Sequence, residues 1–146
     1  METTLQTPTT SDLAGRLRLA VARTARRLRQ EADGGLSPSL VAALSTVDRH
    51  GPLTPSRLAE IERVQRPTAT RLVTNLEQQG LVVREPDPLD GRVCYVSLSP
   101  EGARFLKHLR SRKNAYLAKR LRRLDEDELA TLERATQILE GILERG

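Results

Sequence analysis

The chain has 146 residues, enough for one domain that buries roughly two-thirds of the surface its unfolded form exposes, and no second domain is needed. Lys and Arg outnumber Asp and Glu by 24 to 19, a net charge of +5 that favours an anionic partner, nucleic acid or membrane surface. Only Phe105, Tyr95 and Tyr116 are aromatic, so Leu, Val, Ile and Ala must fill the core, and stacking of single-stranded bases is disfavoured.

Residues 1–10, rich in Thr, read as a flexible tail, with order beginning near Ser11. Leu13, Leu17, Ala20, Val21, Thr24, Ala25 and Leu28 then recur at three- and four-residue spacing, the stripe of a helix that ends before Gly34-Gly35. Its other faces carry Arg16, Arg18, Arg23, Arg26, Arg27 and Arg29. Ser37-Pro38 opens a short, mostly buried helix through Leu40, Ala43, Leu44 and Val47 that stops at Gly51-Pro52. Thr54-Pro55 opens a third, of about two turns, with Leu58, Ala59 and Ile61 inward and Val64 closing it. A fourth starts at Pro67 with Leu72, Val73 and Leu76 inward, and Gly80 stands where a left-handed residue is wanted.

Leu81 to Arg84 and Val93 to Leu98 alternate as strands, joined by the turn formers of EPDPLDGR into a β-hairpin with a long tip. Ser99-Pro100-Glu101 caps a long helix with Phe105, Leu106, Leu109, Tyr116, Leu117, Leu121 and Leu124 on its buried side. Asp125 with Glu128 forms a capping box, and a last helix carries Leu129, Leu132, Ala135, Ile138, Leu139, Ile142 and Leu143. The long helix is strongly basic and the last one acidic, so the two are expected to attract each other. Between 54 and 92 the charges balance, so position, not net charge, must locate a DNA surface.

The expected fold is mainly α with a small β-hairpin wing: a winged helix-turn-helix, whose second helix enters the major groove. The front of that helix reads Arg66-Pro67-Thr68-Ala69-Thr70-Arg71. Its hydroxyls and guanidinium groups suit duplex DNA: Thr bonds phosphates or bases, its methyl meets the thymine methyl, and Arg grips guanine or phosphate.

At this point the sequence resembles the MarR family of bacterial transcriptional regulators, over nearly the whole stretch 11–146. The segment that carries the resemblance is RPTATRLVTNLEQQGLVVREPDPLDGRVCYVSLSPEG, with Leu76, Gly80-Leu81-Val82, Asp90, Arg92, Leu98-Ser99 and Gly102 in the family pattern. The resemblance implies one MarR-type domain, with a DNA-binding lobe over 37–100 and dimerisation helices over 11–33 and 101–146. It implies that Arg92 enters the minor groove, with Asp90 orienting it. Thr68, Thr70 and Arg71, beside Arg66 and Pro67, match positions that approach the major groove, and Thr54 and Ser56 lie near the backbone. It further implies a homodimer, consistent with first and last helices too apolar for a small lobe to cover, and Leu13, Leu17, Leu132, Ile138 and Ile142 are the candidate interface residues, with packing inside one chain as the alternative.

The lone Cys94 can form no internal disulfide, and its alternation with Val96 and Leu98 marks a small buried strand residue, not a redox sensor. His50 and His108 lack partners at metal-ligand spacing, and no nucleophile–base pair or phosphate loop stands out. No metal, cofactor or catalysis is expected. No apolar run approaches the roughly 20 residues that span a bilayer, and no secretory leader is visible, so a cytoplasmic location is expected. The reading is a homodimeric repressor on a pseudo-palindromic operator of double-stranded DNA, released by a small-molecule effector. The alternatives are a winged-helix protein-interaction module without DNA binding, and membrane attachment through the basic helix, which lacks Trp and whose apolar stripe the core needs.

Overall fold

A computed structural model describes residues 7–32 and 34–145. The elements run α1 (Thr10–Glu31), α2 (Pro38–His50), α3 (Pro55–Glu62), α4 (Arg66–Gln78), β1 (Val82–Pro86), β2 (Cys94–Leu98), α5 (Pro100–Leu121) and α6 (Glu126–Glu144). Residues 1–6 of the expected tail, Asp33 and Gly146 lie outside the described residues. α1 begins one residue before Ser11, because Thr9 caps it: its hydroxyl accepts from the Asp12 amide at 3.1 Å and donates to the Asp12 carboxylate at 2.6 Å.

The same local signal sets the other helix starts. Ser37, Thr54, Ser99 and Asp125 each accept a hydrogen bond from the amide three residues on, and Asp125 and Glu128 complete a capping box. Proline follows at the first turn of α2, α3 and α5, where its missing N–H is not needed.

The core belongs to the middle of the chain. Leu40, Ala43, Leu44 and Val47 of α2 pack with Leu58, Ala59, Ala69, Val73, Leu76, Val82, Val96 and Leu106 in one buried cluster. β1 and β2 pair antiparallel from Val82↔Leu98 to Pro86↔Cys94, and Leu53 bridges Val96 on the other edge of β2. Strand pairing therefore extends through Glu85 and Pro86, two residues beyond the expected end at Arg84. Only Val96 of β2 is wholly buried; Cys94 is half-buried rather than interior, because the far end of the hairpin projects past the core.

Two glycines fix how the lobe joins its neighbours. Gly80 (φ +73) ends α4 in a Schellman arrangement, its amide on Glu77 O at 2.9 Å and that of Leu81 on Leu76 O at 2.9 Å. Gly102 brings the first turn of α5 onto the Leu81 carbonyl, where any Cβ would collide.

α1 lies along α5, with Arg27 Nε donating to Tyr116 Oη at 2.9 Å and the Arg120 guanidinium stacked 3.4 Å over the Tyr116 ring. Neither α1 nor α6 buries a residue within its span. The expected attraction between α5 and α6 is not realised inside the chain: among the described residues no ion pair joins them. α5 and α6 do not pack extensively on each other, and charge alone cannot bend a helix back against water that solvates both partners.

Candidate nucleic-acid interface

α3, its turn and α4 form the helix-turn-helix. Thr54 Oγ1 accepts from the Arg57 amide (3.1 Å) at the start of α3, a bond that does not engage its hydroxyl proton, and Ser56 is half-buried one residue beyond Pro55. α3 ends at Glu62 rather than at Val64, because Arg63 takes the left-handed conformation (φ 54) and reverses the chain. Val64 still closes the turn, its amide on Ala59 O at 3.0 Å.

α4 begins at Arg66, one residue before the expected Pro67. Ala69, Val73 and Leu76, three and four apart, are wholly buried against α2 and α3, so the opposite face must point outward. That face carries Arg66, Pro67, Thr70 and Arg71, all exposed, with Thr68 half-buried beside them. Gln65 offers no side-chain cap, so the first-turn amides are open to water or to an anion. Arg66 and Arg71 enter no ion pair among the described residues. A free guanidinium pair at an uncapped helix start is an anion-seeking surface.

The wing is braced to this helix. Arg84 of β1 donates to Thr74 Oγ1 of α4 at 2.9 Å, and its Nε lies 3.4 Å from Glu77 Oε2, an ion-pair distance without hydrogen-bond geometry. Beyond β1, Asp87 organises the tip. Its Oδ1 accepts from the amides of Leu89 (2.8 Å) and Asp90 (3.2 Å), and its carboxylate also pairs with the Tyr95 phenol. The Leu89 amide bond, then the Tyr95 and Asp90 donors, hold the Asp87 carboxyl below its ordinary value, while the Asp87 carboxylate pushes Tyr95 up. Asp90 Oδ1 in turn meets the Arg92 amide at 3.1 Å and Arg92 Nε at 3.2 Å. The Arg92 side chain is 92% exposed and points off the tip.

The structure therefore brings Thr54, Ser56, Arg66, Pro67, Thr68, Thr70 and Arg71 onto the two helices of one motif, with Asp90 and Arg92 on the wing beside it. Arg84, Thr74 and Asp87 were not singled out from sequence. Asp87 had a visible signal, an Asx-turn former between two prolines; Arg84 and Thr74 had none, since their pairing exists only after β1 docks on α4. His50 and His108 are exposed, and among the described residues no cluster of His, Cys, Asp or Glu could hold a metal.

A cavity of about 490 Å³ opens between α1, the start of α2 and α5. Its apolar wall is Ala32, Leu36, Val41 and Leu109, and Arg26, Arg29 and Lys113 stand at its edge. Leu13, Leu17, Leu132, Ile138 and Ile142 are all exposed, from 38% at Leu17 to 59% at Ile142.

The sequence model of the MarR family matches residues 36–94, the lobe just described. An HTH-type transcriptional regulator of Mycobacterium leprae, itself uncharacterised, is 40% identical over 128 residues, 87% of this chain and 90% of that protein. The chain belongs to the MarR family. Among solved structures, this MarR-family chain is similar to a putative transcriptional regulator of Pseudomonas aeruginosa, at 38% identity and a TM-score of 0.83, over 93% and 98% of the two chains. A MepR variant of S. aureus bound to an oligodeoxyribonucleotide shares the fold at 19% identity and a TM-score of 0.71, over 89% and 97%. No described helix is long and apolar enough to cross a membrane.

Proposed function

We propose that this chain is a homodimeric repressor that occupies a pseudo-palindromic operator and leaves it when an effector binds. The observation that carries the reading is one lobe presenting two cationic probes at once: the uncapped front of α4 with Arg66 and Arg71, which enter no ion pair among the described residues, and Arg92 on an internally hydrogen-bonded wing. Thr68, Thr70 and Arg71 meet the major groove, with Arg66 and Pro67 at the helix front, while Thr54 and Ser56 approach the phosphates of the same duplex. Arg92, oriented by Asp90, enters the minor groove, where a narrow A·T segment concentrates negative potential.

Duplication of the lobe comes from the helices that the monomer leaves uncovered. Leu13 and Leu17 of α1 and Leu132, Ile138 and Ile142 of α6 bury against a second copy, which sets two α4 helices about one duplex turn apart. The cavity between α1, α2 and α5 receives the effector; its occupation changes the separation of the two α4 helices and breaks simultaneous contact with both half-sites.

Selection of duplexes from a random pool by the full chain tests the reading. The expected product is an inverted repeat with half-sites roughly 10 bp apart, bound with an affinity that falls steeply with salt. Recovery of no sequence, with no salt-dependent duplex binding, would instead favour a protein-interaction module.

A further inference from the structure

The tip of the wing carries an apolar side chain that neither the core nor the Asp90–Arg92 pair uses. Leu89 is 97% exposed, more than any other large apolar side chain among the described residues. A single exposed leucine is ordinary on a protein surface. This one differs in being fixed there. Its own amide is bound to Asp87 Oδ1 at 2.8 Å, the next amide, of Asp90, shares that oxygen, and Asp87 N to Val93 O (2.8 Å) with Val93 N to Asp90 O (3.0 Å) closes the loop below it. Pro88 stiffens the link between Asp87 and Leu89. The loop thus holds Leu89 in water instead of folding it onto the hairpin. Arg92 leaves the same tip, tied through Asp90 to the same turn.

The narrow minor groove matches such a pair, with an electronegative floor and walls made of the C–H faces of deoxyribose. Apolar side chains beside cationic ones are what minor-groove proteins insert. We infer that Leu89 is a DNA contact, packing on the deoxyribose walls while Arg92 reaches the groove floor, and that Asp87 is the positioning residue that presents the two together. This rests on the reading of the wing as a minor-groove element.

The two contacts separate by salt. An apolar contact releases no counterions, so its loss lowers affinity without changing the slope of log K against log salt, whereas loss of an arginine contact also flattens that slope by about one per subunit. With the full chain and the tightest duplex from the random pool, Leu89→Ala is expected to bind more weakly by about five- to tenfold per subunit at unchanged slope, from half-burial of the removed carbons. Leu89→Met, which conserves volume, retains wild-type affinity. Asp87→Ala weakens binding at least as much as Leu89→Ala, and Asp87→Asn, which keeps the acceptor oxygen, restores it. Leu89 is almost wholly exposed, so unchanged melting temperatures of its variants separate binding from folding. Wild-type affinity in Leu89→Ala, with Arg92→Ala weakened, would overturn the Leu89 contact alone. Wild-type affinity and slope in Arg92→Ala, or recovery of no duplex at all, would overturn the wing reading and this inference with it. Asp87→Ala binding like the wild type would remove the positioning role.

Discussion

Arg71 stands on the outer face of α4, one residue beyond Thr70, and among the described residues no carboxylate pairs with it. A free guanidinium costs nothing to redirect onto guanine or phosphate, whereas Arg57, paired with Glu60 at 2.9 Å, must first give up a partner. Arg71→Ala is therefore expected to weaken operator binding by roughly 1–3 kcal/mol, and Arg57→Ala by less. If Arg71 grips a guanine edge with both nitrogens, Arg71→Lys does not restore the affinity, because lysine is a point charge. Anisotropy titrations at matched salt decide between these outcomes.

The wing residues carry a pH dependence of definite sign. Asp87 titrates below its ordinary 3.8, so its hold on the loop is complete above that value and is lost as pH falls through the lower folded one. Tyr95 titrates above its ordinary 10.0, so the neutral phenol that donates to Asp87 persists below that value and is lost as pH rises through the higher folded one. The wing is thus expected to stay ordered from about pH 5 to about pH 9. The Leu89 and Asp90 amide resonances, followed by NMR across that window, should not move; a step inside it would disconnect the loop from these two groups.

Among elements, the sharpest constraint is the junction of α4, the hairpin and α5. Ser99 donates its hydroxyl to Gly80 O at 2.6 Å, accepts from Gly102 N at 3.0 Å, and sends its own amide to Leu81 O at 3.1 Å. Three elements meet at one serine, and Gly102 is the only residue type that fits against the Leu81 carbonyl. Gly102→Ala is expected to cost roughly 1–3 kcal/mol by thermal or denaturant unfolding, because the backbone itself must move. Gly91→Ala on the wing, where a Cβ meets nothing within 4 Å, is expected to stay within about 0.5 kcal/mol. Equal losses at both positions would mean that backbone freedom, not the close approach, is what glycine supplies.

These elements also separate what is local in the sequence from what docking decides. Caps were legible because they are local: Ser37, Thr54, Ser99 and Asp125 each act on an amide three residues away, whatever the rest of the chain does. The exposed face of α4 was legible because its apolar residues fix it. The end of α3 was not, since Arg63 is left-handed without being glycine and nothing in its identity announces that. Nor was the reach of β1 through Glu85 and Pro86, whose composition marks a turn while their partners Tyr95 and Cys94 mark a strand. The Arg84–Thr74–Glu77 brace and the absent pairing of α5 with α6 depend on docking geometry, which charge patterns do not encode.

For the molecule as a whole, burial divides the chain into a lobe that is complete and helices that are not. The core cluster runs from Leu36 to Leu106, while α6 buries no residue and packs extensively against no other element, although Leu132, Ile138 and Ile142 lie along it. An amphipathic helix with nothing beneath it is unstable alone in water, so a second chain is the cover that would hold it. This separation makes the dimer testable without unfolding the lobe. Leu132→Asp with Ile138→Asp places two charges on the uncovered stripe and none in the core, so the variant should sediment as a monomer while the amides of α2 and α4 keep their hydrogen-exchange protection. Operator affinity should then fall on the order of 10²-fold, because each lobe engages its half-site without the effective concentration its partner supplies. A variant that stays dimeric would move the interface elsewhere on the chain, and a wild type that sediments as a monomer at micromolar concentration while still selecting an inverted repeat would mean that DNA, not the α1 and α6 stripe, brings the two copies together.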